Sequence, residues 1–142
     1  MLSGSTTWTR AADIPPFYCY FQPMPRNIEI KARIPAIEAI APLAAAMADE
    51  GPVEIFQDDT FFRCDTGRRV IKQRTLFIVG RTRIHLDKVQ GLGDFLELEV
   101  VLSDEDTLEG GTREAEQIMR QLGIEASQLI ETAYVDLLAA QA

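Results

Sequence analysis

Charged and apolar residues alternate strictly through NIEIKARI at 27–34. Ile28, Ile30, Ala32 and Ile34 fall on one side, and Glu29, Lys31 and Arg33 on the other. The same period returns in RIHLDKVQGLGDFLELEVV at 83–101. There Ile84 and Leu86 oppose Arg83, His85 and Asp87, while Leu96, Leu98 and Val100 oppose Glu97 and Glu99. A period of two marks a β-strand with one buried and one polar face. Strands are therefore predicted at 27–34, 82–89 and 94–102, with further strands at 53–62 and 70–79. Asp65-Thr66-Gly67, Gly80-Arg81 and the segment 90–93 supply the turns between them.

The helical signals lie outside this series. Pro35 is suited to a helix start, and the alanine-rich 36–49 has Ile37, Ile40 and Leu43 on one side. Pro42 falls inside that helix, where a kink is expected, and Gly51-Pro52 ends it. After an acidic loop at 103–111, Thr112 is placed to cap a helix reaching Leu122, with Gly123 just past its end. Ser127 is placed to cap a last helix, in which Leu129, Ile130, Ala133, Tyr134, Leu137 and Leu138 recur at helical spacing. The order is strand, helix, strand, a three-strand meander and two helices, which is α+β with an antiparallel sheet. Residues 1–26 carry four of the seven prolines and no periodicity, and read as a poorly ordered extension before one domain at 27–142.

The net charge of −8 argues against broad attraction to nucleic acid or to an anionic membrane surface. An anionic ligand needs a local basic cluster or an accompanying cation. Cys19 and Cys64 show neither metal spacing nor a disulfide framework, so a reducing, cytoplasmic setting is expected. No apolar run is long enough to span a bilayer, and the N-terminus lacks the layout of a secretory signal.

If the polar strand faces share one surface, that surface carries Lys31, Arg33, Lys72, Arg74 and Arg83 with Glu29, Asp87, Glu97 and Glu99. Arginine and lysine side chains suit phosphate oxygens, and neighbouring carboxylates suit Mg²⁺ or Mn²⁺. Phosphoryl chemistry asks mainly for positioning and charge stabilisation, and such a set supplies both. Taken singly, each alternation is also what a solvated sheet face with cross-strand ion pairs looks like. His85, the only histidine, reads either as a proton-transfer group or as a hydrogen-bonded structural residue, and Tyr134 reads as core.

Three blocks together, NIEIKARI at 27–34, QDDTFF at 57–62 and IKQRTLFIVGRTRIHLDKVQGLGDFLELEV at 71–100, resemble the CYTH family of triphosphate tunnel metalloenzymes. That family includes class IV adenylate cyclases, thiamine triphosphatases and inorganic triphosphatases. The third block, with AYVDLL at 133–138, looks most like the class IV adenylate cyclase branch. The resemblance implies an antiparallel β tunnel with a charged lumen and flanking helices. It matches Glu29 and Lys31 to the last acid and the lysine of the family's ExExK motif, whose first acid is Asn27 here. It likewise matches Lys72 and Arg74 to a phosphate-gripping basic pair, and Asp87 and Glu97 to acids associated with Mg²⁺ or Mn²⁺, with Glu99 on the same face.

One departure bears on function. Relatives place further strands and a helix between DTFF and the IKQR block, whereas here only RCDTGRRV at 63–70 intervenes. That is too short for those elements, so an incomplete tunnel is expected. The resemblance implies a metal-dependent enzyme converting ATP to cyclic AMP and pyrophosphate. Its alternatives are hydrolysis of tripolyphosphate or thiamine triphosphate, and a non-catalytic module that binds polyphosphate or nucleotide. Pairing into a homodimer is one way to complete the sheet.

Overall fold

A computed structural model describes residues 26–61 and 68–141. The expected extension, apart from Arg26, and the turn at 65–67 lie outside these residues, as do Cys19 and Cys64. Six strands form one antiparallel sheet: β1 (Arg26–Ile34), β2 (Glu50–Phe61), β3 (Arg68–Val79), β4 (Thr82–Val89), β5 (Gly93–Leu102) and β6 (Leu129–Ile130). Their order across the sheet is β2-β3-β4-β5-β1-β6. The sheet is open, since its outer strands β2 and β6 do not pair with each other. β2 and β3 pair directly along their length, with Phe61 opposite Arg68, so no strand separates them. The α+β class and antiparallel sheet read from the alternation are those observed.

Among the described residues three α-helices accompany the sheet: α1 (Ile37–Met47), α2 (Leu108–Leu122) and α3 (Tyr134–Ala140). α1 and α2 lie on the apolar face. Ile40 and Ala44 of α1, with Ile118 and Leu122 of α2, pack on Ala32, Ile34, Phe77, Ile84, Leu86, Leu96 and Leu98. Ala115 of α2 packs beside Val100 and Leu102. Each large side chain buried here stabilises the fold by about 1.5–3 kcal/mol. The Asp94 carboxylate accepts from the Ile37 backbone N–H at 2.8 Å, so the sheet itself caps α1. Among the described residues no helix is long and apolar enough to cross a membrane.

Three local expectations need correction. α2 begins at Leu108, not after Thr112, and its cap is Thr107, whose hydroxyl accepts from the Gly110 N–H at 2.9 Å. Thr112 instead bonds the Leu108 carbonyl inside the helix. Gly110 and Gly111 argue against helix by propensity, yet packing demands a residue without a side chain at Gly111. A Cβ there would stand 2.8 Å from Leu102 Cδ2 and 3.0 Å from Ile28 Cγ1. Gly111→Ala is expected to destabilise by about 1–2 kcal/mol, because overpacking outweighs the gain in propensity. Thermal unfolding of the variant should show a midpoint lowered by about 2–6 °C; an unchanged midpoint would mean that α2 shifts freely.

The C-terminal stripe is not one helix. Ala126–Gln128 makes a single 3-10 turn, Leu129–Ile130 becomes β6, and only Tyr134–Ala140 is α-helical. β6 pairs Ile130 with Lys31 and Leu129 with Ala32, giving the backbone of β1 a partner that the helical reading would have denied it. Gly51-Pro52, expected to end α1, lies within β2 at a register shift between Glu50 and Val53. Proline is tolerated there because β2 is an outer strand. Gly123 does close α2, in the left-handed region at φ 74°.

Candidate functional site

Strand alternation and register place every predicted site residue on the face opposite α1 and α2. β1 contributes Glu29, Lys31 and Arg33; β5 contributes Glu97 and Glu99; β4 contributes Arg83 and Asp87; β3 contributes Lys72 and Arg74. In the ladder Glu29 stands opposite Glu99, and Lys31 opposite Glu97. Arg83 stands opposite Glu99, and His85 opposite Glu97. Arg74 stands opposite Asp87.

At the centre is a saturated buried cluster. Arg74 donates to both Asp87 oxygens, at 2.7 and 2.8 Å, and to Glu97 Oε1 at 3.0 Å. The Tyr134 hydroxyl donates to Asp87 Oδ2 at 2.8 Å, and Lys72 Nζ stands 4.0 Å from the same oxygen. Asp87 is fully buried, Arg74 is 1% exposed and Lys72 7%. Burial pushes the Asp87 carboxyl up, but the hydrogen bond and charge of Arg74, the charge of Lys72 and the Tyr134 hydroxyl leave it below its ordinary value. Burial, with the charge of Arg74, lowers the Lys72 ammonium. Burial, assisted by Arg74, holds His85 down at about 3, so the imidazole is neutral at pH 7. Burial and the nearby carboxylates raise the Tyr134 phenol.

Beside this cluster lies an open pocket of about 540 Å³, lined among others by Glu29, Lys31, His85, Glu97, Glu99 and Glu131. Glu99 accepts from Arg83 Nη1 at 3.3 Å and from Asn27 Nδ2 at 2.7 Å. Asn27 thus meets a carboxylate, and its own Oδ1 is buried without a hydrogen-bond partner. Arg33 points elsewhere: its guanidinium lies 4.8 Å from the Phe95 ring centre. The structure therefore brings Glu29, Lys31, Glu97 and Glu99 to one pocket. It commits Arg74 and Asp87 to each other and sets Arg33 apart.

Residue by residue, a preassembled divalent-cation centre does not fit this arrangement. Both Asp87 oxygens already accept hydrogen bonds, and Glu99 is shared between Arg83 and Asn27. Among the described residues no three acids, histidines or cysteines are disposed to hold one ion. Two residues gained roles that sequence reasoning missed. Glu131 follows β6, where the spacing predicts helix, and the spacing of Tyr134 predicts core; the polar tip of a tyrosine is the signal available for the second.

The fold and site define an α+β domain with an open antiparallel sheet and a charged, pocketed face. Residues 65–134 match the CYTH domain family. It is similar to the adenylate cyclase CyaB of Aeromonas hydrophila, at 29% identity over 65 residues. That stretch is 46% of this chain and spans about a third (34%) of the length of the cyclase. A conserved hypothetical protein from Pyrococcus furiosus shares the fold with a TM-score of 0.66 at 15% identity, over 79% of this chain and 99% of that one. A protein from Pyrococcus horikoshii does so with a TM-score of 0.61 at 16% identity, over 82% of this chain and all of that one (100%). CYTH proteins in general bind triphosphates and depend on metal ions.

Proposed function

We propose that this chain binds a triphosphate on the polar face of its sheet and acts as a class IV adenylate cyclase-like enzyme. The observation that carries the reading is the register, which brings Lys31, Lys72, Arg74 and Arg83 from three different strands to one face beside a pocket. Glu29, Glu97, Glu99 and Glu131 line that pocket together with Lys31, so it repels a bare polyanion. The triphosphate therefore enters as its Mg²⁺ or Mn²⁺ complex, with the cation travelling as part of the substrate. Lys31, and Arg83 beside the pocket's Glu99, then meet phosphate oxygens. In cyclisation of ATP the ribose 3′-oxygen attacks the α-phosphorus and the bond to the pyrophosphate oxygen breaks. The hydroxyl proton passes to a pocket carboxylate, for which Glu29, Glu97 and Glu131 are placed, and the lysine and arginine offset charge on the departing pyrophosphate.

A second reading, binding without turnover, is favoured by one observation: Asp87 and Arg74 neutralise each other and are closed off from solvent. One assay separates the two. The protein is incubated with ATP and Mg²⁺ or Mn²⁺, and separately with tripolyphosphate and thiamine triphosphate, and the products are resolved by chromatography. Cyclic AMP with pyrophosphate supports the cyclase, orthophosphate supports a triphosphatase, and binding without product supports the module. Lys31→Ala is expected to weaken binding of the Mg²⁺–triphosphate complex about tenfold or more, the worth of one hydrogen bond to a charged group. Calorimetric titration reads this directly; unchanged affinity would place the ligand elsewhere.

A further inference from the structure

α3 is only seven residues long, too short to hold a helix without packing. It docks on the polar face through Tyr134, Val135, Leu137 and Leu138, against Val70, Val89 and Phe95. Tyr134 is the centre of the contact. Its ring stands 4.1 Å from Lys31 Nζ and 5.0 Å from Lys72 Nζ, centre to nitrogen, and 4.9 Å from the Phe95 ring. Its hydroxyl holds Asp87. One side chain thus engages Lys31, Lys72 and Asp87 together. In this arrangement Lys72 and Arg74 are closed to any ligand in the adjoining pocket.

A contact meant to be permanent gains nothing from burying a lysine and a carboxylate, Lys72 and Asp87, because apolar side chains fill the same volume without the desolvation cost. The polar composition suits a contact that breaks and reforms. The segment 131–133 between β6 and α3 has no regular structure and gives the helix a place to swing. We propose that Tyr134 is a displaceable latch: the triphosphate takes its place over Lys31 and Lys72, and α3 lifts off β3 as the ligand enters. This rests on the triphosphate reading, and it makes α3 a self-inhibitory element of the same site.

The test uses the full chain, hydrogen exchange read by mass spectrometry, and tripolyphosphate with Mg²⁺ as the probe. Bound probe should speed exchange across 134–140 at least threefold while the sheet stays protected. Tyr134→Phe keeps the ring and removes the hydroxyl; it should loosen α3 without ligand and tighten probe binding about fivefold. Weaker or unchanged binding in this variant, or slower α3 exchange in the wild-type complex, overturns the latch while leaving the triphosphate reading in place. If neither protein binds the probe, the triphosphate reading falls and the latch falls with it, and ligand-free exchange then reads only whether α3 opens apart from the sheet. Faster exchange in Tyr134→Phe confined to 134–140 supports a separately opening strap, and faster exchange throughout the domain shows ordinary core.

Discussion

Arg74→Met is expected to lower the unfolding free energy by about 3–5 kcal/mol, the range for removing one partner of a buried ion pair. Arg74 lies beneath Tyr134, 1% exposed, and faces a carboxylate with no access to water. Without the guanidinium, Asp87 keeps, among the described residues, the Tyr134 hydroxyl as a hydrogen-bond donor and Lys72 at 4.0 Å as a counter-charge. Urea denaturation of wild type and variant reads the loss. Asp87→Asn in the Arg74→Met background should recover much of it, since the amide leaves no uncompensated charge. If Arg74→Met costs less than about 1 kcal/mol, the cluster is open to water in solution. The outcome also bears on binding: an Arg74 variant that loses both ligand and fold says nothing of phosphate contact, so Lys31 is the cleaner probe.

Acid should weaken the fold well before the carboxylates titrate. His85 is 2% exposed and its folded pKa is held at about 3, below the ordinary value of 6.5. The unfolded chain therefore binds a proton through this window that the folded chain does not. Stability from the neutral imidazole is complete above pH 6.5 and is lost as pH falls toward 3, at up to about 1.4 kcal/mol per pH unit. Asp87 acts lower in the scale. Its folded pKa is depressed, so its contribution is present above the ordinary carboxylate value and disappears as pH falls through the lower folded one. Urea midpoints measured from pH 7 to 4.5 should decline in the wild type and stay nearly level in His85→Gln. An equal slope in both would place the proton on another group.

Period two was enough to place all nine predicted residues on one face, and β4 runs over 82–89 as the alternation indicates. Alternation decides which face a side chain takes, but not which residue of the next strand it meets. That Arg74 falls opposite Asp87, and Glu29 opposite Glu99, comes from register, which no single strand encodes. So which residues share the polar face was legible and their pairing was not. The misread elements have the same origin in contacts made at a distance. Gly111 is helical because the sheet leaves no room for a side chain, and Leu129 and Ile130 are extended because β1 needs a partner. Tyr134 carries the helical spacing of a core residue, and only its hydroxyl on Asp87 reveals the polar network it closes.

β2 ends the sheet, and among the described residues no strand covers its free side. It is 12 residues long and carries no lysine, and Phe56 on it is 70% exposed. Natural edges are usually blunted by charged side chains, above all lysine, by a short strand or by a covering loop; here the proline at position 52 protects one end, and Glu50, Glu54, Asp58 and Asp59 supply charge without lysine. Two molecules meeting along this edge extend each other's hydrogen-bond ladder at little cost in rearrangement. The same strand that ends the sheet is thus the place where one molecule can be extended by another, a route to association that does not require the core to open.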